Sequence, residues 1–280
     1  MRHRQVKGKR LAHSLPQHNS MPGTRFSAAE IHDNIDRSAR EELARPNSAL
    51  FWSGLAAGVS MTASFLVGAY VRTLVAPEFH KSVTALVYPI GFAFVVIGRQ
   101  QLFTENTLEP VIPLLAHFTG RRLQQVGTLY AMVLLGNLLG TLVMALLLAY
   151  TPVTDSSLTP ALTDLARSAF TGGAAIVLYK AIYAGWLVAL MAWLIGATRN
   201  AVAQLILIWL ATAPIAALDF RHSIAGSVEA WYAAAHGSAS WWSALGAVII
   251  PSVVGNVIGG IVFVALLNHR QADTGSSDAM

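Results

Sequence analysis

Long stretches of this chain are apolar on every side rather than along one helical face. They cover residues 49–71, 82–98, 126–150, 172–197, 201–218 and 242–267. A helix packed on a soluble core alternates polar and apolar positions at helical spacing. One that is hydrophobic all round reads as buried in a large core or in a membrane. About 20 apolar residues cross a bilayer, so the pattern predicts six transmembrane helices. Polar breaks follow two of them. Arg99-Gln100-Gln101-Leu102-Phe103-Thr104-Glu105-Asn106 follows the second, and Asp219-Phe220-Arg221-His222-Ser223 follows the fifth. A short apolar tail comes after each break, over 111–118 and 224–235. Charges at membrane depth are costly, and those that persist usually face a cavity or a partner. Two breaks at matching places in two halves predict a substrate pathway near the bilayer midplane.

The halves also repeat. Leu134-Leu135-Gly136-Asn137-Leu138-Leu139-Gly140 and Val253-Val254-Gly255-Asn256-Val257-Ile258-Gly259 share one pattern, apolar-apolar-Gly-Asn-apolar-apolar-Gly. Asn137 and Asn256 are 119 residues apart, and Thr104 and His222 are 118 apart. Three spans per unit is an odd number, so the halves are expected to face opposite ways and to pack two broken helices around a pore. The glycine pairs are small-xxx-small spacings that let helices approach closely. Each asparagine has two readings. It braces the freed backbone of a nearby break, or it makes an ordinary interhelical hydrogen bond.

Composition agrees with a membrane protein. Hydrophobic residues make up 54% and charged residues 12%, about half the charged share of a soluble domain. The net charge of +5 is concentrated in loops that would share one side. Arg2, Arg4, Lys7, Lys9, Arg10, Arg25, Arg37, Arg40 and Arg45 precede the first span. Arg121, Arg122, Arg199 and Arg270 fall in the other loops of that side. The positive-inside bias then places both termini in the cytoplasm, and nucleic acid is not an expected partner. The domains follow: 1–47 a cytoplasmic basic tail, 48–268 a transmembrane domain, 269–280 a cytoplasmic C-terminal tail. Within the tail, residues 1–27 hold Pro16, Pro22 and no acidic residue, a disorder-prone composition, and Met21 is an alternative start. Residues 28–45 predict an amphipathic helix with Ser27 as N-cap, Glu30 closing a capping box, and a stripe of Ile31, Ile35 and Leu43 lying at the membrane interface or, alternatively, binding a partner. Residues 151–163 read as an exposed loop, and Trp231, Trp241 and Trp242 as an interfacial belt. No cysteine is present, so disulfides and thiolate metal sites are excluded. His222 and His236 lack zinc-ligand spacing. Neither a metal nor a cofactor is expected.

Leu102-Phe103-Thr104-Glu105-Asn106, Gly136-Asn137, His222-Ser223-Ile224-Ala225 and the run from Pro251 to Gly260, in that order, resemble the formate/nitrite transporter family over about residues 45–268. The first break and Gly226-Ser227-Val228-Glu229 are most similar to its YfdC-type branch. The resemblance implies an all-α membrane protein of six transmembrane helices. Its arrangement would be an aquaporin-like inverted 3+3 repeat with broken second and fifth helices, assembled as a homopentamer in a bacterial inner (plasma) membrane. It implies passage of small monovalent anions such as formate, nitrite, acetate-like monocarboxylates or hydrosulfide, and not an enzyme. His222 would sit at the pore centre with Thr104 close by on the first loop, next to Phe103. Tyr88 and Phe92 would form one apolar constriction and Ile215 the other. Glu105 and Asn106, with Asn137 and Asn256, would support the loops.

The pattern departs at Arg221, where formate and nitrite members usually carry Glu. Arg221, Arg99 and Lys180 are candidates for attracting the anion. The alternatives are pairing with Asp219, Glu229 or Glu105, or snorkelling. Protonation removes most of the cost of taking an anion through a dry collar, and histidine titrates nearest neutral pH. His222 and Thr104 are therefore expected to hydrogen-bond the anion and assist proton exchange, unless His222 only satisfies freed backbone. A non-transporting scaffold or stress-response protein, a neutral-solute channel and an intramembrane enzyme are the competing readings. The enzyme reading has no nucleophile motif behind it.

Overall fold

The computed structural model describes residues 26–153, 155–268 and 271. The basic stretch over 1–25, Met21, Arg270 and the C-terminal tail expected above lie outside them. The described chain is helical throughout. It runs α1 (Ala28–Leu43), α2 (Asn47–Arg72), α3 (His80–Val87), α4 (Pro89–Ile97), α5 (Val111–Ala116), α6 (Gly120–Tyr150), α7 (Thr159–Ser168), α8 (Gly173–Ile195), α9 (Ala201–Ala217) and α10 (Ser223–Ala235), and ends in α11 (Trp241–Asn268). Among the described residues, five helices are long and apolar enough to cross a membrane: α2, the joined Pro77–Ile97 helix that holds α3 and α4, α6, α8 and α11. α9 is apolar but has 17 residues, roughly 26 Å at 1.5 Å per residue.

Prolines and small residues set how these helices bend and touch. Pro89 has no N–H to give and its ring crowds the preceding turn, so the helix is interrupted at Tyr88. Ser64 of α2 bridges the interruption: its Oγ donates to the Tyr88 carbonyl at 2.6 Å and accepts the Gly91 N–H at 3.1 Å. In α11 a wide π-helical segment, Ala244–Ile249, precedes Pro251. Such bulges relieve a mid-helix interruption of the hydrogen-bond ladder. α6 packs along α2 and α11 along α8. A Cβ on Gly140 would meet the Leu55 carbonyl, and one on Gly259 the Ile182 carbonyl. The small-residue spacing thus marks backbone-to-backbone contact in both halves.

Three peripheral expectations change. α1 forms with its capping box: Ser27 Oγ accepts from Glu30 N at 3.2 Å, and Glu30 Oε2 accepts from Ser27 N at 2.7 Å. Its apolar stripe covers protein, however, and does not simply lie at a lipid interface. Ile35 is buried with Leu108, Val111, Ile112 and Trp193, Ala39 is buried too, and Asn34 donates to the Gly196 carbonyl at 3.3 Å. The region over 151–163 is not an exposed loop throughout. It leads into α7, whose Leu162, Leu165 and Ala166 are buried together with Leu158. Trp231 is buried, whereas Trp241 and Trp242 are exposed, so only those two fit a belt.

Candidate functional site: a buried His–Thr pair between two helix breaks

Both breaks are built alike. At the end of α4 the Gln100 N–H closes back on the Val95 carbonyl at 2.9 Å, with Arg99 left-handed at φ 50°. At the end of α9 the Phe220 N–H closes on the Ile215 carbonyl at 2.8 Å, with Asp219 left-handed at φ 58°. This is the six-to-one helix closure that glycine usually serves; a non-glycine residue there costs about 1–2 kcal/mol. Beyond each closure an asparagine holds the chain. Asn137 Oδ1 accepts from Phe103 N at 2.9 Å, while its Nδ2 donates to the Gln101 carbonyl at 2.9 Å and the Gly54 carbonyl at 2.7 Å. Asn256 Oδ1 accepts from Ser223 N at 2.7 Å, while its Nδ2 donates to the Arg221 carbonyl at 3.0 Å and the Ala181 carbonyl at 2.7 Å. Both amides are fully buried. Each therefore braces its break and ties it to a neighbouring helix at once.

These contacts fix the internal correspondence. Arg99 matches Asp219, Gln101 matches Arg221 and Phe103 matches Ser223, all at an offset of 120 in the numbering. Leu102, not Thr104, is the counterpart of His222. The 118-residue relation of Thr104 to His222 is a contact between the two breaks: Thr104 Oγ1 and His222 Nε2 are 2.7 Å apart. Thr104 is fully buried and His222 is 2% exposed.

The backbone decides how the imidazole is used. His222 is the N-cap of α10, and its Nδ1 accepts the Ala225 N–H at 3.1 Å. A nitrogen that accepts carries no proton, so the neutral ring holds its hydrogen on Nε2. Nε2–H then donates to Thr104 Oγ1, which leaves the threonine hydroxyl hydrogen free to reach a third group. α10 starts beside this point and directs its positive end toward it.

Apolar side chains enclose the pair. The Phe92 ring lies 4.9 Å from the imidazole at 75°, edge to face, and Tyr88 lies 5.4 Å from Phe92. Tyr88, Phe92, Leu102, Phe103, Ile215 and Ile224 belong to one buried cluster. The Phe103 ring meets Tyr130 of α6 edge-on at 5.5 Å. Leu102 entered the sequence reading only as part of the family motif, not as a residue beside the pair; the repeat offset, once known, points to it.

Of the charged candidates, Arg221 takes the pairing alternative and Lys180 departs from snorkelling. Arg221 pairs with Asp219, Nη1 to Oδ1 at 3.0 Å, and donates from Nη2 to the Ser168 carbonyl at 2.8 Å. Lys180 also pairs with Asp219, so its span position reflects a partner rather than snorkelling. One carboxylate thus offsets part of the charge of two cations. Arg99 is exposed and makes no ion pair among the described residues. Asn106 donates to Gln101 Oε1 at 2.9 Å within the first break. The Glu105 carboxylate accepts no hydrogen bond among the described residues, and its backbone bonds Leu102 and Leu108 within the break. Glu105 is partly exposed.

Apolar helices too hydrophobic for water, broken twice, with both breaks meeting at one buried polar pair, define a membrane channel or transporter. The chain belongs to the formate/nitrite transporter family, whose model matches residues 29–270. The inner membrane protein YfdC of Escherichia coli (strain K12) is 34% identical over 245 residues, 87% of this chain and 78% of that protein. Among solved structures, an FNT family ion channel superposes with a TM-score of 0.71 at 22% identity, over 87% of this chain and 98% of its own. A pentameric formate channel with formate bound superposes with a TM-score of 0.66 at 19% identity, over 83% and 96%. The chain therefore has the channel fold of this family of small-anion transport proteins and sits in a membrane through several helices.

Proposed function

We propose that this protein conducts small monovalent anions, formate, nitrite or similar monocarboxylates and hydrosulfide, across the inner membrane through a path centred on Thr104 and His222. The buried 2.7 Å contact between the two breaks, in a chain of this family, carries the reading. Tyr88 and Phe92 form one apolar collar and Ile215 with Leu102 the other. Asn137 and Asn256 hold the loops that present the pair. The identical closures and asparagine braces support an inverted 3+3 repeat of six spans, with α9 and α10 together as the fifth. Transmembrane residues 48–268 lie between two cytoplasmic tails, and the protomers assemble as a homopentamer with one path each.

A bare anion entering such a collar loses hydration at a cost of several kcal/mol after relaxation. A donor chain recovers part of that cost: Ala225 N–H onto Nδ1, Nε2–H onto Thr104, and the Thr104 hydroxyl onto the anion. Hydrogen bonds to a charged acceptor are about twice as strong as neutral ones. In this arrangement His222 polarises Thr104. Arg221 and Lys180, tied to Asp219, leave a net positive charge beside the α9–α10 break, which favours anions over cations.

Formate and nitrite flux into proteoliposomes, followed across a pH series, tests this. Rapid flux is expected for the native protein, with loss in His222→Ala and Thr104→Val. Arg221→Glu is expected to shift the pH profile. Absence of flux of any small anion through correctly assembled protein would refute the proposal.

A further inference from the structure

From Ser223 to Ala234 every residue of α10 is buried except Gly226 and Glu229. The helix is enclosed by α2, α6, α7 and α11, so those two positions open inward. A Cβ built on Gly226 meets nothing within 4 Å. Positions 222, 226 and 229 form one stripe at helical spacing. Gly226 and Glu229 therefore share the His222 side of α10, and this face would line a lumen leading away from the pair over a rise of roughly 10 Å at 1.5 Å per residue.

The first break repeats this. From Gln101 to Pro113 every residue is buried except Glu105 and Glu109. Glu109 precedes Glu229 by 120 in the numbering, the offset already set by the loop closures and the Phe103–Ser223 braces. Neither carboxylate accepts a hydrogen bond or forms an ion pair among the described residues. A carboxylate without an ion-pair partner at membrane depth is expensive, and retained ones mark ion and proton pathways. The charged and titratable groups around Glu229 are Arg221 and Asp219 from the second break, Arg72 of α2 and Tyr88, with Asp164 of α7 bound to Arg72 and Tyr232 on its own helix. α6 past Arg122 and α11 carry no charged residue. Around Glu109 are Glu105, Arg99 and Glu42 of α1; Glu42 is bound to Arg45.

The central pair is a poor proton source. With Nδ1 taken by the Ala225 N–H, the only proton His222 could give is Nε2–H, and losing it leaves an imidazolate. We propose that Glu109 and Glu229 are a matched pair of proton-exchange groups, one on each side of the His222–Thr104 pair, for the small monovalent acid that permeates. This rests on the anion-conduction reading above. On entry, the O–H bond of the protonated carboxyl breaks and an O–H bond forms on the anion, giving a carboxylate and a neutral acid. The neutral acid then crosses the collar in place of the bare anion, its acceptor oxygen taking the Thr104 hydroxyl on the way. The opposite carboxylate takes its proton and the anion leaves. Water on each side restores the starting protonation of both groups.

The test is formate flux in proteoliposomes between pH 5 and 8 for the native protein, Glu109→Gln, Glu229→Gln, both together, the two Glu→Asp variants, and Gly226→Leu. At pH 7 each Gln variant is expected to lose about 100-fold in flux, the usual size of a positioned acid–base contribution. The loss should shrink as pH falls and the solution supplies neutral acid. The Asp variants should regain flux with a shifted pH profile, and Gly226→Leu should block at every pH. Native flux and native pH profile in the Gln variants would overturn the proposal, as would a loss that is uniform with pH and not regained by Asp. Unimpaired flux through Gly226→Leu would remove the lumen on which it depends. Loss in Thr104→Val beside unchanged Gln variants would leave conduction standing and proton exchange refuted. No native flux would remove both.

Discussion

Asn256→Ala removes more than its size suggests. The amide makes three hydrogen bonds at 2.7–3.0 Å and is fully buried. If each is counted as an ordinary interhelical bond in a membrane, at about 0.6 kcal/mol, the loss is only about 2 kcal/mol. The alternative count follows the groups left behind. The Ala181 carbonyl sits inside α8, but the Ser223 N–H and the Arg221 carbonyl lie in a break with no helical partner to return to. Two orphaned buried groups cost about 1–3 kcal/mol each, so the expected total is about 2–6 kcal/mol. At about 2–4 °C per kcal/mol for a chain approaching this size, the melting temperature in detergent should fall by at least ~4 °C. The loop also carries His222, so formate flux should fall even in the fraction that stays folded. Asn256→Asp should do no better, because a carboxylate cannot donate to the two carbonyls. Melting within a degree of the native protein, with native flux, would refute the bracing argument.

Other consequences are equally direct. In Gly185→Val the new Cβ would meet the Asn256 backbone oxygen; overpacking costs about 1–3 kcal/mol, and a loss of monodisperse protein on size exclusion is expected. Thr104→Ser should keep most formate flux and Thr104→Val should lose it, because the hydroxyl, not the methyl, completes the donor chain; equal flux in both would count against it. Asp219→Asn leaves Arg221 and Lys180 without their shared partner. Asp219 is 39% exposed, so solvent screening holds the expected destabilisation to about 1–3 kcal/mol, read as a lower melting temperature that added salt partly restores. Ser64→Ala removes the bridge across the Tyr88–Pro89 interruption and should cost about 1 kcal/mol by the same measurement.

The apolar segments and both breaks were legible in the sequence, because a membrane imposes length and hydropathy on each span separately. Glycine spacing likewise announced that the third and sixth spans are approached closely, though not by which helices, since only a residue without Cβ allows carbonyls to approach the facing backbone. The docking of α1, the helix at α7 and the burial of Trp231 were not legible. Each depends on a surface supplied by a distant part of the chain, such as Gly196 for Ile35. The charged residues show the same divide. That Lys180, Asp219 and Arg221 are costly at membrane depth follows from residue type alone. That a single carboxylate holds both cations depends on where α8 passes the second break. The sequence by itself settled an all-helical membrane protein with a histidine and a threonine in two polar breaks. The family resemblance already placed Thr104 near His222; only the tertiary structure decided that they meet at hydrogen-bond distance, that Leu102 rather than Thr104 is the counterpart of His222, and which nitrogen of the ring faces the threonine. Spacing along the chain limits what can be near, but the donor at Ala225 N and the braces at Asn137 and Asn256 choose among those possibilities.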